Sequence, residues 1–255
     1  MGVDTLRLAN PTPASVARPE VSLIVPAYNE AGSARADAFR SMLDGSLATL
    51  EREVPGAYEL LVVDDGSTDR TAAIAHEFGV AVHTHPDRSN RGKGASVRLG
   101  MLEAKGAYRV FADADGSYGP DAVMGLADKI GGAADVAVAF REQGGHASSL
   151  RGFGHVALER ICDVIAPSDA VDTQAGAKAF TAEAAEAIWP LVKADRYAAD
   201  RQAMHLVHRL GYRVANVPTD IKVVPGSHVH MVRDTARILV DATRLSRFHT
   251  RALTN

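Results

Sequence analysis

From Val21 onward the chain alternates short, near-continuous apolar runs rich in β-branched residues with longer segments of helical composition. Runs of that kind are strands buried on both faces, and such strands belong to a parallel sheet covered on both sides by crossover helices. The expected fold class is therefore α/β, a mostly parallel sheet with helices on both faces in a single domain. The expected strands are Val21–Val25, Leu60–Val63, Val80–His83, Tyr108–Ala112 and Asp135–Ala139, then Ala177–Phe180 and Arg213–Val217. Helices are expected over Ala34–Leu50, Thr71–Phe78, Ala95–Lys105, Asp121–Ile130 and His155–Ala166, from Ala182, and over Asp200–Leu210. Gly79, Gly106 and Gly131 fall where helix C-caps belong.

In open α/β sheets the ligand lies outside the carboxyl ends of the strands, so the residues that follow each strand carry the argument. The first run ends in Pro26-Ala27-Tyr28-Asn29-Glu30, the second in Asp64-Asp65-Gly66-Ser67-Thr68-Asp69, and the fourth in Asp113-Ala114-Asp115-Gly116-Ser117. Three strand ends thus deliver acidic groups to one rim. Ser67 or Asp69 could cap the following helix. Asp64 and Asp65 are costly as neighbouring carboxylates after an apolar strand unless they hydrogen-bond a ligand, which points to a base or ribose contact. Asp113-x-Asp115 suits a bound Mg²⁺ or Mn²⁺ that neutralises a diphosphate as a Lewis acid.

Other nucleotide folds are excluded by their glycines: neither G-x-G-x-x-G nor G-x-x-x-x-G-K-[ST] occurs. Asn90-Arg91-Gly92-Lys93-Gly94 before a helix could set backbone N–H groups and a lysine near phosphate; the plainer reading is a basic solvated loop. A net charge of -3 without clustered Lys and Arg gives no reason to expect a nucleic-acid partner. Cys162, the one cysteine, has no partner within the chain and reads as a small buried residue in a helix. No run reaches the roughly 18–20 apolar residues of a membrane span.

The series Val25-Pro-Ala-Tyr-Asn-Glu30, Val63-Asp-Asp-Gly-Ser-Thr-Asp69, Asn90-Arg-Gly-Lys-Gly94 and Asp113-Ala-Asp-Gly-Ser117 resembles the inverting family 2 glycosyltransferases of GT-A fold, and most closely the dolichyl- or polyprenyl-phosphate glucose and mannose synthases. The likeness continues through Asp172-Thr-Gln-Ala-Gly-Ala-Lys-Ala-Phe180, Leu210–Pro218 and Val224–Ser227. It implies a nucleotide diphosphate sugar as donor, a UDP-sugar before a GDP-sugar, and Mg²⁺ or Mn²⁺ as cofactor. It further implies that Pro26, Tyr28, Glu30 and Asp65 surround the base and ribose, that Asp113 and Asp115 hold the metal and diphosphate with Ser117 beside them, and that Lys93 lies near the nucleotide or phosphates. Where these synthases carry Phe-Asp-x-Glu, this chain has Ala199-Asp200-Arg201-Gln202. The altered motif leaves two acceptors open: polyprenyl phosphate, already ionised and needing little base, and a soluble sugar or natural product, whose hydroxyl needs one.

Asp200 is the expected base or acceptor-orienting group, with a helix N-cap as its structural alternative. Arg201 and Arg233 are expected phosphate partners, and His228 in Gly226-Ser227-His228-Val229-His230 a metal or phosphate contact. Neither His83-x-His85 nor His228-x-His230 by itself makes a zinc site. The expected organisation is a flexible leader over residues 1–20, a donor half over 21–117, an acceptor half over 118–231, and a basic amphipathic helix and tail over 232–255. That last helix, with Ile238, Leu239, Val240 and Leu245 among Arg233, Arg237, Arg244 and Arg247, reads either as packed on the body or as a foot on a membrane surface. The expected location is cytoplasmic, with peripheral contact at the inner face of the membrane if the foot reading holds. Two rival functions are a non-catalytic nucleotide-sugar-binding protein, against which the acidic strand ends argue, and a sugar nucleotidyltransferase, which should carry a Gly-rich loop after its first strand.

Overall fold

The computed structural model describes residues 19–141, 166–196 and 198–222. The elements are β1 (Val21–Ala27), α1 (Ser33–Glu53), β2 (Tyr58–Asp64), α2 (Thr71–Glu77), β3 (Ala81–Thr84), α3 (Lys93–Glu103), β4 (Tyr108–Ala112), α4 (Pro120–Ala127), β5 (Val136–Phe140), β6 (Ala177–Thr181), α5 (Ala182–Ile188), a 3₁₀ turn (Trp189–Leu191), α6 (Ala198–Leu210) and β7 (Val214–Pro218). The seven strands form one sheet in the order β3-β2-β1-β4-β6-β5-β7. Neighbours are parallel except at β6, which runs antiparallel to both β4 and β5.

Helices cover both faces, as the apolar strand runs require. Val21, Leu23, Val25 and Ala27 of β1 pack on one side with Phe39 and Leu43 of α1, Ile74 of α2 and Leu126 of α4. Ile24 points the other way, into a core with Val97 and Met101 of α3, Ile188 of α5 and Met204 of α6. Phe111 and Phe180 meet Trp189 edge-on in that second core, at ring-centroid distances of 6.2 and 5.6 Å; the perpendicular arrangement suits the ring quadrupoles.

The order places β1 between β2 and β4, so the chain builds outward through β2 and β3 and then returns to the far side of β1. That reversal is the topological switch point at which such sheets bind ligands. The register aligns Ala27 with Asp64 and Ile24 with Phe111, which brings the carboxyl ends of β1, β2 and β4 to one rim.

Several boundaries move. Helix α3 begins at Lys93 rather than Ala95, so the lysine lies on the helix and not in the loop before it. Gly79 adopts a left-handed φ of 69° directly after Phe78, the C-cap of α2, as the expectation requires. Gly131 is not a cap: α4 closes at Asp128, and Gly131, at φ 92°, turns the chain between Ile130 and Ala134 and donates its amide to Ala134 O at 3.0 Å. Gly106 is not a cap: a Cβ there would stand 2.5 Å from Ser22 Oγ and 2.6 Å from Ser22 N, so glycine is needed for close approach to β1. Of the expected helix over His155–Ala166 only Ala166 is described, in a bend; Cys162, the helix over 232–248, His228 and Arg233 lie outside the described residues. Among the described residues no helix is long and apolar enough to cross a membrane.

Candidate active site

The loops after β1 and β2 are stitched together by side chains, among them Ser67 and Asp69, the two expected as helix caps. The amide of Asn29 donates to Ser67 Oγ (3.0 Å), Glu30 to Thr71 Oγ1 (2.8 Å) and Ala31 to Asp69 Oδ2 (2.8 Å), while Thr68 N donates back to Asn29 Oδ1 (2.9 Å). Asn29 adopts φ 53°, a left-handed turn its short polar side chain tolerates. Arg70 and not Ser67 or Asp69 is the N-cap residue of α2; Asp69 instead bridges the two loops, accepting from Ala31 N and, at 2.9 Å, from Thr71 N. Burial pushes its carboxyl up, but the hydrogen bonds from Thr71 and Ala31 hold it below the ordinary value.

This stitching fixes Tyr28, 41 % exposed, and half-buried Glu30 on the rim. Pro26 follows the last β1–β4 pair, Ile24–Phe111, where pairing with that neighbour has ended. Asp64 accepts from Ser67 N at 3.0 Å and closes the β2 turn. The carboxyl of Glu30 lies above its ordinary value because burial raises it, with Asp115 and Asp69 adding to the effect against Arg35 and a backbone hydrogen bond.

Asp65 has its ligands within the protein. Its Oδ1 accepts from Arg91 N at 2.9 Å and its Oδ2 from Gly92 N at 2.8 Å, with His85 Nε2 at 3.4 Å. The cost of burying this carboxylate is thus met by backbone amides, and no ligand is required to explain it. The same bonds correct the expectation for the Asn90–Gly94 run, since the amides of Arg91 and Gly92 are directed at Asp65. Gly92, at φ 102°, makes that turn, and a Cβ there would meet Asp195 O at 2.7 Å. His85, also 3.3 Å from Ser96 Oγ, is part of this packing.

The turn delivers Lys93, whose ammonium stands 2.6 Å from Asp113 Oδ1 and 5.8 Å from the Phe111 ring centroid. Burial alone would lower the lysine pKa, but the charges of Asp113 and Asp200 outweigh it and hold the ammonium protonated beyond the usual lysine range. Asp113 directly follows β4 and donates its amide to Gly176 O at 3.0 Å. Asp115, half-buried, accepts from Ser117 N at 2.9 Å across Gly116, whose φ is 71°. Tyr118 accepts from Gly176 N at 2.9 Å, and burial pushes its phenol up to about 12.

A second ion pair, fully buried, also lies against the Phe111 ring. Lys178, on β6 and fully buried, donates to Asp200 Oδ1 at 2.8 Å and to Ala175 O at 2.6 Å, with its ammonium 5.2 Å from the ring centroid. Asp200 sits in the first turn of α6, 4 % exposed, as the partner of Lys178. Arg201 is buried as well. Gln202 accepts from the amides of Lys193 and Ala194 at 2.8 and 3.0 Å and so shapes the approach to α6.

Lys178 is the buried charge beside this site that the sequence reading missed. A lysine between alanines in an apolar strand was the signal, because lysine is almost never fully buried without a partner.

Among the described residues no group of three or more His, Cys, Asp or Glu could hold a metal ion. Mg²⁺ or Mn²⁺ needs less when donor phosphates complete the shell, since one or two carboxylates then suffice. Asp115 and Asp113 are hard oxygen ligands of the right kind. Lys93 already neutralises Asp113, so Asp115 is the carboxylate whose charge is better placed for a cation.

Residues 22–184 match the family described as Glycosyl transferase family 2. The dolichyl-phosphate beta-glucosyltransferase of Drosophila melanogaster is 33 % identical, in an alignment spanning 82 % of this chain and 68 % of the fly protein. That of Dictyostelium discoideum is 27 % identical over 88 % of this chain and 73 % of its own. Among solved structures, glucosyl-3-phosphoglycerate synthase from Mycobacterium tuberculosis, in complex with Mn²⁺, uridine diphosphate and glucosyl-3-phosphoglycerate, matches with a TM-score of 0.67 at 22 % identity, covering 90 % of this chain and 80 % of that one. That likeness is one of fold, and the architecture is of the GT-A type.

Proposed function

Because the chain belongs to glycosyl transferase family 2, we propose that it moves glucose from a UDP-sugar to polyprenyl phosphate with inversion, in the presence of Mg²⁺ or Mn²⁺. The observation that carries this reading is the gathering of Lys93–Asp113, Asp115 and Lys178–Asp200 at the carboxyl end of β4, beside the switch point. The names of the fly and Dictyostelium relatives support glucose and a dolichyl-phosphate-like acceptor. The bound groups of the mycobacterial structures suggest the uridine nucleotide and the divalent ion.

In this reaction an acceptor phosphate oxygen forms a bond to the anomeric carbon while the bond from that carbon to the nucleoside diphosphate breaks, and the diphosphate leaves with the electron pair. Since the phosphate is already ionised, no proton need be removed. Asp115, with Asp113, would hold the cation, which supplies Lewis-acid neutralisation of the diphosphate. Lys93 adds fixed positive charge next to that group, preorganised by its bond to Asp113. Tyr28, Glu30 and Pro26 flank the base and ribose, while Asp64 and Asp65 hold the loops that form their wall. Asp200, held by Lys178, orients the acceptor, with Arg201 and His228 as further contacts. The basic segment over residues 232–255 provides peripheral contact with an anionic membrane.

The test is release of UDP from UDP-sugars, and of GDP from GDP-sugars, with Mn²⁺ or Mg²⁺, each with polyprenyl phosphate and with a pool of soluble sugars. Turnover with UDP-glucose and the lipid is expected. Turnover only with soluble acceptors would replace the lipid, and donor binding without turnover in any arm would make the protein a nucleotide-sugar-binding protein.

A further inference from the structure

The loop Asp172–Gly176 joins the two charged pairs. At one end Gly176 O accepts from Asp113 N, and Gly176 lies so close to the Asp113 side chain that a Cβ would stand 2.1 Å from its Oδ2. Ala175 O, one residue earlier, accepts from the Lys178 ammonium that holds Asp200. The loop's own backbone is partly satisfied, with Gln174 N donating to Asp172 Oδ1 at 2.9 Å. Two of its side-chain atoms are not: Thr173 Oγ1 and Gln174 Nε2 are buried without a hydrogen-bond partner. Among the described residues the only other such atom is Trp189 Nε1, which belongs to the aromatic cluster of the second core.

A buried polar atom without a partner is destabilising, and native proteins carry few of them. Two on consecutive residues, in a loop that touches both Asp113 and the Lys178–Asp200 pair, are groups that a ligand could satisfy. The chemistry of that ligand follows from the atoms. A hydroxyl and an amide NH₂ are neutral donors, suited to hydroxyl groups, whereas phosphate is met elsewhere on this rim by charge. If the diphosphate lies at Asp113 and Asp115 and the acceptor at Asp200, what lies between them is the sugar being transferred. We propose that Thr173 Oγ1 and Gln174 Nε2 bind hydroxyls of the transferred sugar and set which sugar is accepted. This deepens the function proposed above and rests on it.

Calorimetric titration with Mn²⁺ present compares UDP with UDP-glucose, UDP-galactose and UDP-N-acetylglucosamine for the wild type, Thr173→Val and Gln174→Met. The expected result is an unchanged Kd for UDP in all three proteins and a loss of about 5- to 20-fold for the best UDP-sugar in each variant, the scale of one hydrogen bond. Discrimination among the three sugars should narrow as well, and the melting temperature of Thr173→Val should hold or rise, since it removes an orphaned hydroxyl without changing shape. A lowered melting temperature with unchanged sugar affinity would assign Thr173 to the fold, through a bound water, and overturn the proposal. So would a wild type that binds UDP-sugars no more tightly than UDP. Failure of the wild type to bind any uridine nucleotide would instead bring down the proposed function, and this inference with it.

Discussion

The ammonium of Lys93 and a carboxylate oxygen of Asp113 lie 2.6 Å apart at the carboxyl end of β4, with side chains 20 % and 32 % exposed. Removing one member of a fully buried pair costs ~3–5 kcal/mol; for this partly solvated pair about 1–2 kcal/mol is expected. Lys93→Met should therefore lower the melting temperature by roughly 2–8 °C and turnover by about 10²-fold or more. The stabilising contribution of Lys93 is fully present below the ordinary lysine pKa, because the folded value is raised, and fades only as the pH climbs past that range. The contribution of the lysine itself is thus constant from about pH 6 to 9; in the variant the Asp113 carboxyl, already raised by burial, loses the lowering influence of Lys93 and rises further, so the native variant keeps a proton that the unfolded chain releases and the melting difference should widen as the pH rises. Asp115→Ala, by contrast, should leave the melt near that of the wild type and remove turnover by orders of magnitude at saturating Mn²⁺.

Asp65 is predicted to act on the donor indirectly. An asparagine there has one acceptor oxygen for two amides and turns an NH₂ toward the other, so Asp65→Asn leaves Arg91 N or Gly92 N unmet at a cost of about 1–3 kcal/mol. Amide hydrogen exchange at Arg91 and Gly92 should speed up, and the KM for donor should rise more than kcat falls, because the turn that delivers Lys93 loosens. Unchanged exchange at those two amides would mean that Asp65 does not hold the turn.

The strands were readable because fully buried runs leave a continuous apolar signature, and the three acidic strand ends could be assigned to one rim from the rule about sheet termini. Partners were not readable. Asp65 meets amides 26 and 27 residues away, and Lys178 meets Asp200 22 residues away. Nothing in a one-dimensional pattern says whether a carboxylate after a strand faces a ligand or the next loop. Gly106 illustrates the same limit, since a glycine after a helix looks like a C-cap whether it turns the chain or lets Ser22 approach. The antiparallel direction of β6 was equally hidden, as strand composition carries no sense of direction.

Gly176 should not tolerate a side chain, because the nearest atoms it would displace belong to Asp113. An added methyl would press on Asp113 Oδ2, Asp113 Cγ and the Tyr118 ring at 2.1, 2.8 and 2.9 Å. Gly176→Ala should destabilise by about 1–3 kcal/mol as an overpacked site and lower turnover by at least 10²-fold through displacement of Asp113. Gly125→Ala, with nothing within 4 Å of its Cβ and a helical setting in α4, is the matched control and should be neutral or slightly stabilising. Equal activity in the two variants would separate Asp113 from catalysis.

Glu30 supplies the pH dependence. Burial first, then the charges of Asp115 and Asp69, hold its carboxyl above the ordinary value against the opposing pull of Arg35. Between the unfolded and folded pKa the native chain keeps a proton that the unfolded chain has released, so stability from this group falls as the pH rises through that window and is regained on acidification. Glu30→Gln removes the charge while keeping the shape. Its melting temperature should exceed that of the wild type at pH 7, and the two should converge as the pH is lowered to about 4, where glutamate is largely protonated in either state. Adding Mn²⁺ and UDP should narrow the gap at pH 7, since a cation beside Asp115 offsets the repulsion that Glu30 feels. A variant that melts below the wild type at pH 7 would mean that the ionised carboxylate stabilises the loop pair after β1 and β2, and that its contacts there outweigh burial and the two neighbouring charges.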